Sequence, residues 1–376
     1  MEDIESRMLD ALELLHYSER FAGQLFAFCF DSSKDCRDLL TDLRVLHAAK
    51  IRQVIFCDAD NALLKRLDLW NRSGHSFLVL ELDHQETVQS ASFIGRVQRS
   101  LSSGHLPLIV LPTLPQDSET QLSLKSQVIH CAVALGATKV FFPGPVATLE
   151  IGNKTISCPS SVQLEKALTH PEKMNVPHEH LKFFVEQQRL HGVEIVWVED
   201  QRGAIFSEVF THSGSGTLLT TDFPNILRPA EESDVMDILA IMQPYVKAGT
   251  LKKLTEDELL SQIRSFTVYT VNEQIVALGA LIEYDDCFEL AKLCTLPRYQ
   301  ARGRARNLVR ALQKAASEAG KRALFALTVS DTVGEFFLQM GFQACSREEL
   351  PACWREDYDF GRPSKAYWYT TSGAKG

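Results

Sequence analysis

A chain of 376 residues is long enough for two domains with separate cores, and 45% apolar with 23% charged residues is the composition of a globular protein. The net charge of −9 speaks against a nucleic-acid partner, whose phosphates call for a basic excess. Nine cysteines, an odd number without a C-x-x-C pair, exclude a disulfide framework and a zinc ribbon.

The first helix, residues 1–19, is acidic and lacks the basic start and apolar middle of a signal peptide, and no later apolar run approaches ~20 residues, so a soluble cytoplasmic protein is expected. Up to residue 227 the chain alternates short apolar runs (25–30, 53–58, 76–82, 106–114, 139–143 and 193–198) with amphipathic stretches such as 35–49, 122–135 and 179–191. That alternation predicts an α/β domain built on a mostly parallel sheet. A polar, glycine-containing passage from His212 to Thr217 precedes Leu227-Arg228-Pro229-Ala230, where the pattern changes. The expected domains are therefore 1–227 and 228–376.

The second domain opens with a helix capped by Ser233 and carrying Val235, Ile238, Leu239 and Met242 at helical spacing until Pro244. Another helix starts at Thr255, with Glu258 completing a capping box. Strand-like runs at 266–271, 274–283 and 287–296, joined by the turns Asn272-Glu273 and Asp285-Asp286, form a meander. A helix over 304–319 ends at Gly320; a strand at 322–329, a helix at 332–340 and a strand at 365–370 complete the chain.

Between the meander and the helix at 304 lies Gln300-Ala301-Arg302-Gly303-Arg304-Ala305. A helix N-terminus offers unpaired N–H groups and a positive dipole end, so an anion can sit there where small residues leave the backbone open. Gly303 and Ala305 do so, and Arg302, Arg304 and Arg306 add charge; the alternative is a glycine turn before an ordinary helix. With Phe336-Phe337-Leu338-Gln339-Met340-Gly341-Phe342 downstream, the segment resembles the GNAT family of acetyl-CoA-dependent N-acetyltransferases. The resemblance implies that Leu293, Cys294 and Thr295 line the pantetheine arm of acetyl-CoA and that residues Gln300 to Ala305 hold its pyrophosphate. Where many members have a tyrosine general acid, this sequence has Phe337, so the proton for the leaving thiolate must come from elsewhere.

All 11 histidines lie at or before His212, which removes histidine bases and histidine metal sites from the second domain; no metal is expected. Glu289, on the strand before the loop, is the candidate base, either directly or through a water; the alternative is a solvated strand carboxylate.

The elements Thr211-x-x-Gly214-x-Gly216-Thr217, Leu227-Arg228-Pro229-Ala230, Leu251-Lys252-Lys253, Leu350-Pro351 and Arg362-Pro363-Ser364-Lys365 are similar to those of the N-acetylglutamate synthase family, which joins an amino-acid-kinase-like domain to a GNAT domain. The resemblance implies acetyl transfer to the α-amino group of glutamate, the first step of arginine biosynthesis. It implies that Arg362 and Ser364 hold one substrate carboxylate, with Lys253 and the backbone around Leu251 at the other end and Lys292 as a further cation. Lys253 stands where many bacterial members have arginine. The first domain lacks the Lys-x-Gly-Gly phosphate turn, reading Asp31-Ser32-Ser33 instead, and reads Lys125-Ser126-Gln127 where an Asn-x-Asp element belongs, so a pseudokinase is expected. Tyr17 and Phe21, with Glu208, Gly214 and Gly216, resemble the arginine-feedback site of that family; the alternative is that they only shape the sheet edge. A homo-oligomer is expected, with no membrane partner. Acetylation of another amino acid or small amine, and a non-catalytic sensor of arginine or acetyl-CoA, remain open.

Overall fold

The computed structural model describes residues 2–30, 37–58, 64, 77–82, 86–111, 118–145, 147–152, 154–159, 161–211, 214–220, 225–271, 274–300 and 303–371. The expected turns at Asp31-Ser32-Ser33 and Asn272-Glu273, the residues His212 and Ser213, and Ala301 and Arg302 of the loop lie outside them. Two compact units are present, Asp10–Asp222 and Phe223–Gly376, the latter grouped with Met1–Leu9.

Helix α1 (Glu2–Phe21), which belongs to the first unit from Asp10 onward, leads into β1 (Leu25–Cys29), α2 (Arg37–Ala48), β2 (Arg52–Asp58), β3 (Phe77–Glu81), α3 (Ala91–Ser102), β4 (Leu106–Leu111), α4 (Ser118–Ala134) and β5 (Lys139–Gly144). A small hairpin, β6 (Leu149–Ile151) and β7 (Lys154–Ile156), precedes α5 (Ser161–Thr169), α6 (His178–His191), β8 (Glu194–Glu199), α7 (Ala204–Phe210) and β9 (Thr217–Leu219). The sheet order is β3-β4-β2-β1-β5-β8-β9, parallel throughout except that β9 runs against β8. β1 and β5 are apolar along nearly their whole length because helices cover both sheet faces, and Phe26, Phe28 and Phe141 are fully buried.

The second unit begins with β10 (Asn225–Pro229), α8 (Val235–Lys247) and α9 (Glu256–Ser261). Then come β11 (Phe266–Val271), β12 (Gln274–Glu283), β13 (Cys287–Thr295), α10 (Arg304–Glu318), β14 (Ala323–Thr328), α11 (Asp331–Gln339), β15 (Gln343–Cys345), α12 (Ala352–Asp357) and β16 (Lys365–Thr370). Its sheet order is β10-β11-β12-β13-β14-β16-β15; only β13 and β14 run parallel.

The predicted capping box is present: Glu258 N donates to Thr255 Oγ1 at 3.2 Å and Thr255 N to Glu258 Oε2 at 2.8 Å. Two local expectations fail. Ser233 does not cap α8; a short 3-10 turn (Glu232–Asp234) capped by Glu231 comes first, and Asp234 is fixed by a bidentate pair with Arg228 at 2.6 and 2.8 Å. Pro244 does not end α8, which continues to Lys247 and closes with Ala248 N donating to Pro244 O; the missing N–H costs one helical bond there, not the helix.

Two features of β13 position the site. Its register with β14 runs only from Cys287↔Ala323 to Glu289↔Phe325, while β14 continues alongside β16 to Thr328. The strands part after Glu289, and the backbone of Leu290 to Thr295 on that side is left without a ladder. On the other side, β12 advances two residues, Ala280 to Leu278, while β13 advances three, Ala291 to Cys294. This is a β-bulge, and within it Lys292 takes a φ of 54°, a value non-glycine residues rarely adopt.

Candidate active site

A cavity of about 360 Å³ opens where β13 leaves β14, walled also by the turn after α8, by α11, by α12 and by the segment before β16. Glu289 lines it and accepts from the Tyr284 hydroxyl at 3.4 Å. Burial raises the Glu289 pKa above the ordinary carboxylate value, against the pull of Lys292, hydrogen bonds from Tyr284 and Trp354, and Lys252. Trp354 is buried with Cys287 and Phe325 in one apolar cluster and stacks on Tyr358 at 4.2 Å, so the wall behind the carboxylate is rigid and aromatic.

Three cations face this carboxylate. Lys292 lines the cavity, and its Nζ reaches Lys252 O at 3.4 Å; burial lowers its pKa while Glu289 holds it up. Lys252 also lines the cavity, its ammonium 5.7 Å from the Tyr358 ring centre. Arg362 donates through Nη2 to Thr250 O and to Gly249 O at 3.2 Å, using one edge of the guanidinium to anchor it. Ser364 is buried beside it and hydrogen-bonded to the Tyr358 hydroxyl. Leu251 lines the cavity as well, whereas Lys253 is exposed and does not. The irregular turn at 250–254 thus presents Lys252 where the sequence pattern pointed to Lys253.

On the opposite side, Leu293 lines the cavity, and Cys294 and Thr295 are buried, burial pushing the Cys294 thiol far up so that it stays protonated. Gly303 stands at the head of α10 with φ 76°, and a Cβ built there would meet nothing within 4 Å. The glycine is required by conformation, and the space above it is open. Ala305 is half-buried in the first turn of α10. Arg304, expected to add charge at the loop, is buried with its guanidinium 4.9 Å from the Tyr299 ring, and Arg306 donates to Gln339 at 3.2 Å. Gln300 Nε2 donates at 3.0 Å to the hydroxyl of Tyr245, which itself lines the cavity. Phe337 is buried against Tyr367 at 5.7 Å and forms part of the cavity wall, offering no proton; the hydroxyls lining the cavity include those of Thr328, Ser330 and Tyr358.

Sequence reasoning missed Tyr245, Lys252, Tyr284, Trp354 and Tyr358. Lys252 lies inside the Leu251-Lys252-Lys253 element, which pointed to its neighbour, and no motif marks the other four, because a parted sheet and a helix turn bring them together.

Residues 241–352 match the family described as "Acetyltransferase (GNAT) domain". The second unit contains a GNAT acetyltransferase domain. Beyond it, the chain is similar to amino-acid acetyltransferases: 33% identical to that of Azotobacter vinelandii over 65% of this chain and 57% of the relative, and 27% identical to that of Pasteurella multocida over 74% and 65%. A third, from Ectopseudomonas mendocina, is 32% identical over 44% of this chain and 38% of the relative. The matches thus span from about two fifths to just under two thirds of these relatives' lengths. The fold is similar, with a TM-score of 0.55 and 18% identity over 96% of this chain and 98% of the other, to N-acetylglutamate synthase from Neisseria gonorrhoeae, solved with coenzyme A and L-arginine. The mixed α/β fold expected from the sequence, a mostly parallel sheet followed by a GNAT domain, is the one present.

In the first unit, the residues of the expected arginine site are structurally engaged. Tyr17 and Phe21 are buried and stacked at 5.9 Å, with Lys139 Nζ 5.3 Å from the Phe21 ring. Glu208 is buried, its Oε2 accepting from Ser215 N and Gly216 N, both at 3.0 Å. Gly214 has φ 62°, and a Cβ on Gly216 would lie 1.8 Å from the Trp197 carbonyl oxygen. Among the described residues no group of three or more His, Cys, Asp or Glu could hold a metal ion, and no helix is long and apolar enough to cross a membrane.

Proposed function

We propose that the chain transfers the acetyl group of acetyl-CoA to the α-amino group of L-glutamate, as an N-acetylglutamate synthase at the entry to arginine biosynthesis. One observation carries the reading: a partly buried carboxylate, Glu289, is faced by Lys252, Lys292 and Arg362 in one cavity at the open edge of β13. Two carboxylates on the acceptor match this excess of cations. Arg362, anchored by Nη2, keeps its remaining donors for a carboxylate, with Ser364 beside it and Lys252 and the backbone at Leu251 across the cavity. The names of the curated relatives point the same way.

In the proposed reaction the acceptor ammonium first loses a proton to Glu289, directly or through a water; burial, by raising the carboxyl's pKa, makes it a better base. The amine nitrogen attacks the thioester carbon, the N–C bond forms, and the C–S bond breaks. The open N–H groups of β13 stabilise the oxyanion, and, since residue 337 is phenylalanine, a cavity hydroxyl gives its proton to the thiolate and takes in its place the second proton that leaves the nitrogen as the amide forms. Leu293 to Thr295 guide the pantetheine, while the loop from Gln300 to Ala305, including Ala301 and Arg302, receives the pyrophosphate at the head of α10.

The first unit acts in this proposal as a pseudokinase with a regulatory role, binding arginine near Tyr17, Phe21, Glu208, Gly214 and Gly216 in a cytoplasmic homo-oligomer. The test is a thiol-release screen of the full chain with acetyl-CoA and each common amino acid. Glutamate should be the preferred acceptor. Turnover of a different amine with none of glutamate would overturn the substrate and leave the transferase.

A further inference from the structure

We infer that Tyr245 is a positioning residue that joins the cofactor strand to the pyrophosphate loop and so fixes the distance between them; the inference rests on the acetyl-CoA reading above. Its main chain is locked first. Tyr245 lies in the last turn of α8, and its carbonyl accepts from Thr250 N at 2.9 Å, Leu251 N at 3.1 Å and Thr250 Oγ1 at 2.9 Å, which folds the turn carrying Leu251 and Lys252. Its phenol reaches the other way. The hydroxyl donates to Thr295 O and accepts from Thr295 N at 3.1 Å and from Gln300 Nε2 at 3.0 Å. A phenolic hydroxyl has one proton to give and two lone pairs to offer, so every site of this one is used.

The backbone groups it takes are those of the open edge. Leu296 N donates to Val276 O on β12, and successive strand residues point their amides to opposite sides, so Thr295 directs its N–H and C=O toward the side that β14 has left. Thr295 is nonetheless buried, and without the phenol its N–H would lack a partner and its carbonyl would keep only Gln300 Nε2, at 3.4 Å. The phenol therefore closes the outer end of the open edge. The inner part, around Leu293, stays available to the pantetheine amides. Because Gln300 is the first residue of the loop, the same hydroxyl sets where the loop starts relative to the strand. Six residues, roughly 20 Å along a strand, separate Thr295 from Glu289, so the phenol stands away from the reacting carbon and holds the donor's arm.

Tyr245→Phe should raise the KM for acetyl-CoA about tenfold while kcat at saturation holds. The KM for acetyl-pantetheine, which lacks the pyrophosphate and nucleotide, should not rise. Damage to the fold would raise both. Tyr245→Met, which leaves Gln300 and the loop unchanged, severs the same link at its other end and should give the same pattern if the phenylalanine variant fails to fold. An unchanged KM for acetyl-CoA in either folded variant, or an equal rise for both donors, overturns the inference. If the wild type binds no coenzyme A by calorimetry and releases no thiol from either donor, the acetyl-CoA reading itself fails.

Discussion

In the first seven-stranded sheet β1 keeps β2 along all five of its residues and β5 keeps β8 along all six, while in the second the nine-residue β13 abandons β14 after three residue pairs. The two sheets also use polar side chains differently. Glu208 spends one oxygen on the amides of Ser215 and Gly216 and so closes a loop onto the sheet edge, whereas Glu289 points into a cavity with three cations around it. A closed ladder consumes its own donors and leaves carboxylates to tidy the edges; an opened one leaves donors and carboxylate together for a substrate.

The largest expected effect lies at the open sheet. Glu289→Gln should lower kcat about 10²–10⁴-fold in steady-state thiol release while coenzyme A affinity, read by calorimetry, hardly moves. The pH profile refines this. Burial raises the Glu289 pKa and only the carboxylate is a base, so activity should fall with decreasing pH through a value above the ordinary 4.5. Lys292 favours the charged form, so Lys292→Met should move that limb to still higher pH; a limb unmoved by the substitution would place the base elsewhere.

Next in size is Arg362→Ala. Loss of a charge-assisted carboxylate contact costs about 2–5 kcal/mol when the partner is left unpaired. The kcat/KM for glutamate should drop well over tenfold with the acetyl-CoA KM nearly constant, and Arg362→Lys should recover only part because an ammonium cannot engage two oxygens in a plane. Equal kinetics would remove glutamate from the proposal.

The smallest effect is expected in the closed sheet. Glu208→Ala leaves two amides without their acceptor, which should lower the thermal midpoint by an amount equivalent to about 1–3 kcal/mol, with basal transfer nearly intact. Any change of rate or midpoint caused by arginine in the wild type should vanish in this variant. A wild type that ignores arginine would make Glu208 a loop staple and nothing more, and the contrast between the two sheets complete.

Much of this was legible in the sequence where the signal is local. The Thr255–Glu258 box, the glycine at the head of α10 and the strand alternation each depend on a few adjacent residues and appear as expected. The active cavity depends on where two strands part, and nothing within β13 or β14 announces that β14 will keep β16 and drop β13. Lys252 and Lys253 illustrate the limit: in a turn without periodicity, neighbouring lysines look alike, and only the fold decides which one faces the cavity. Tyr245 was hidden for a different reason, since Pro244 before it reads as a helix end although α8 runs on and carries the phenol to Thr295.

The bulge in β13 has a consequence of parity. In a regular strand, residues three apart project to opposite faces, so Glu289 and Lys292 would stand back to back. The one extra residue between Ala291 and Cys294 resets the count, and both side chains enter the same cavity. The left-handed backbone of Lys292, a strain of about 1–3 kcal/mol for a residue other than glycine, is thus the cost of a frame shift written in three dimensions. Deleting Leu293, the neutral one of the two residues between Ala291 and Cys294, would restore an ordinary ladder and turn the cation away from its carboxylate without altering any of the charges.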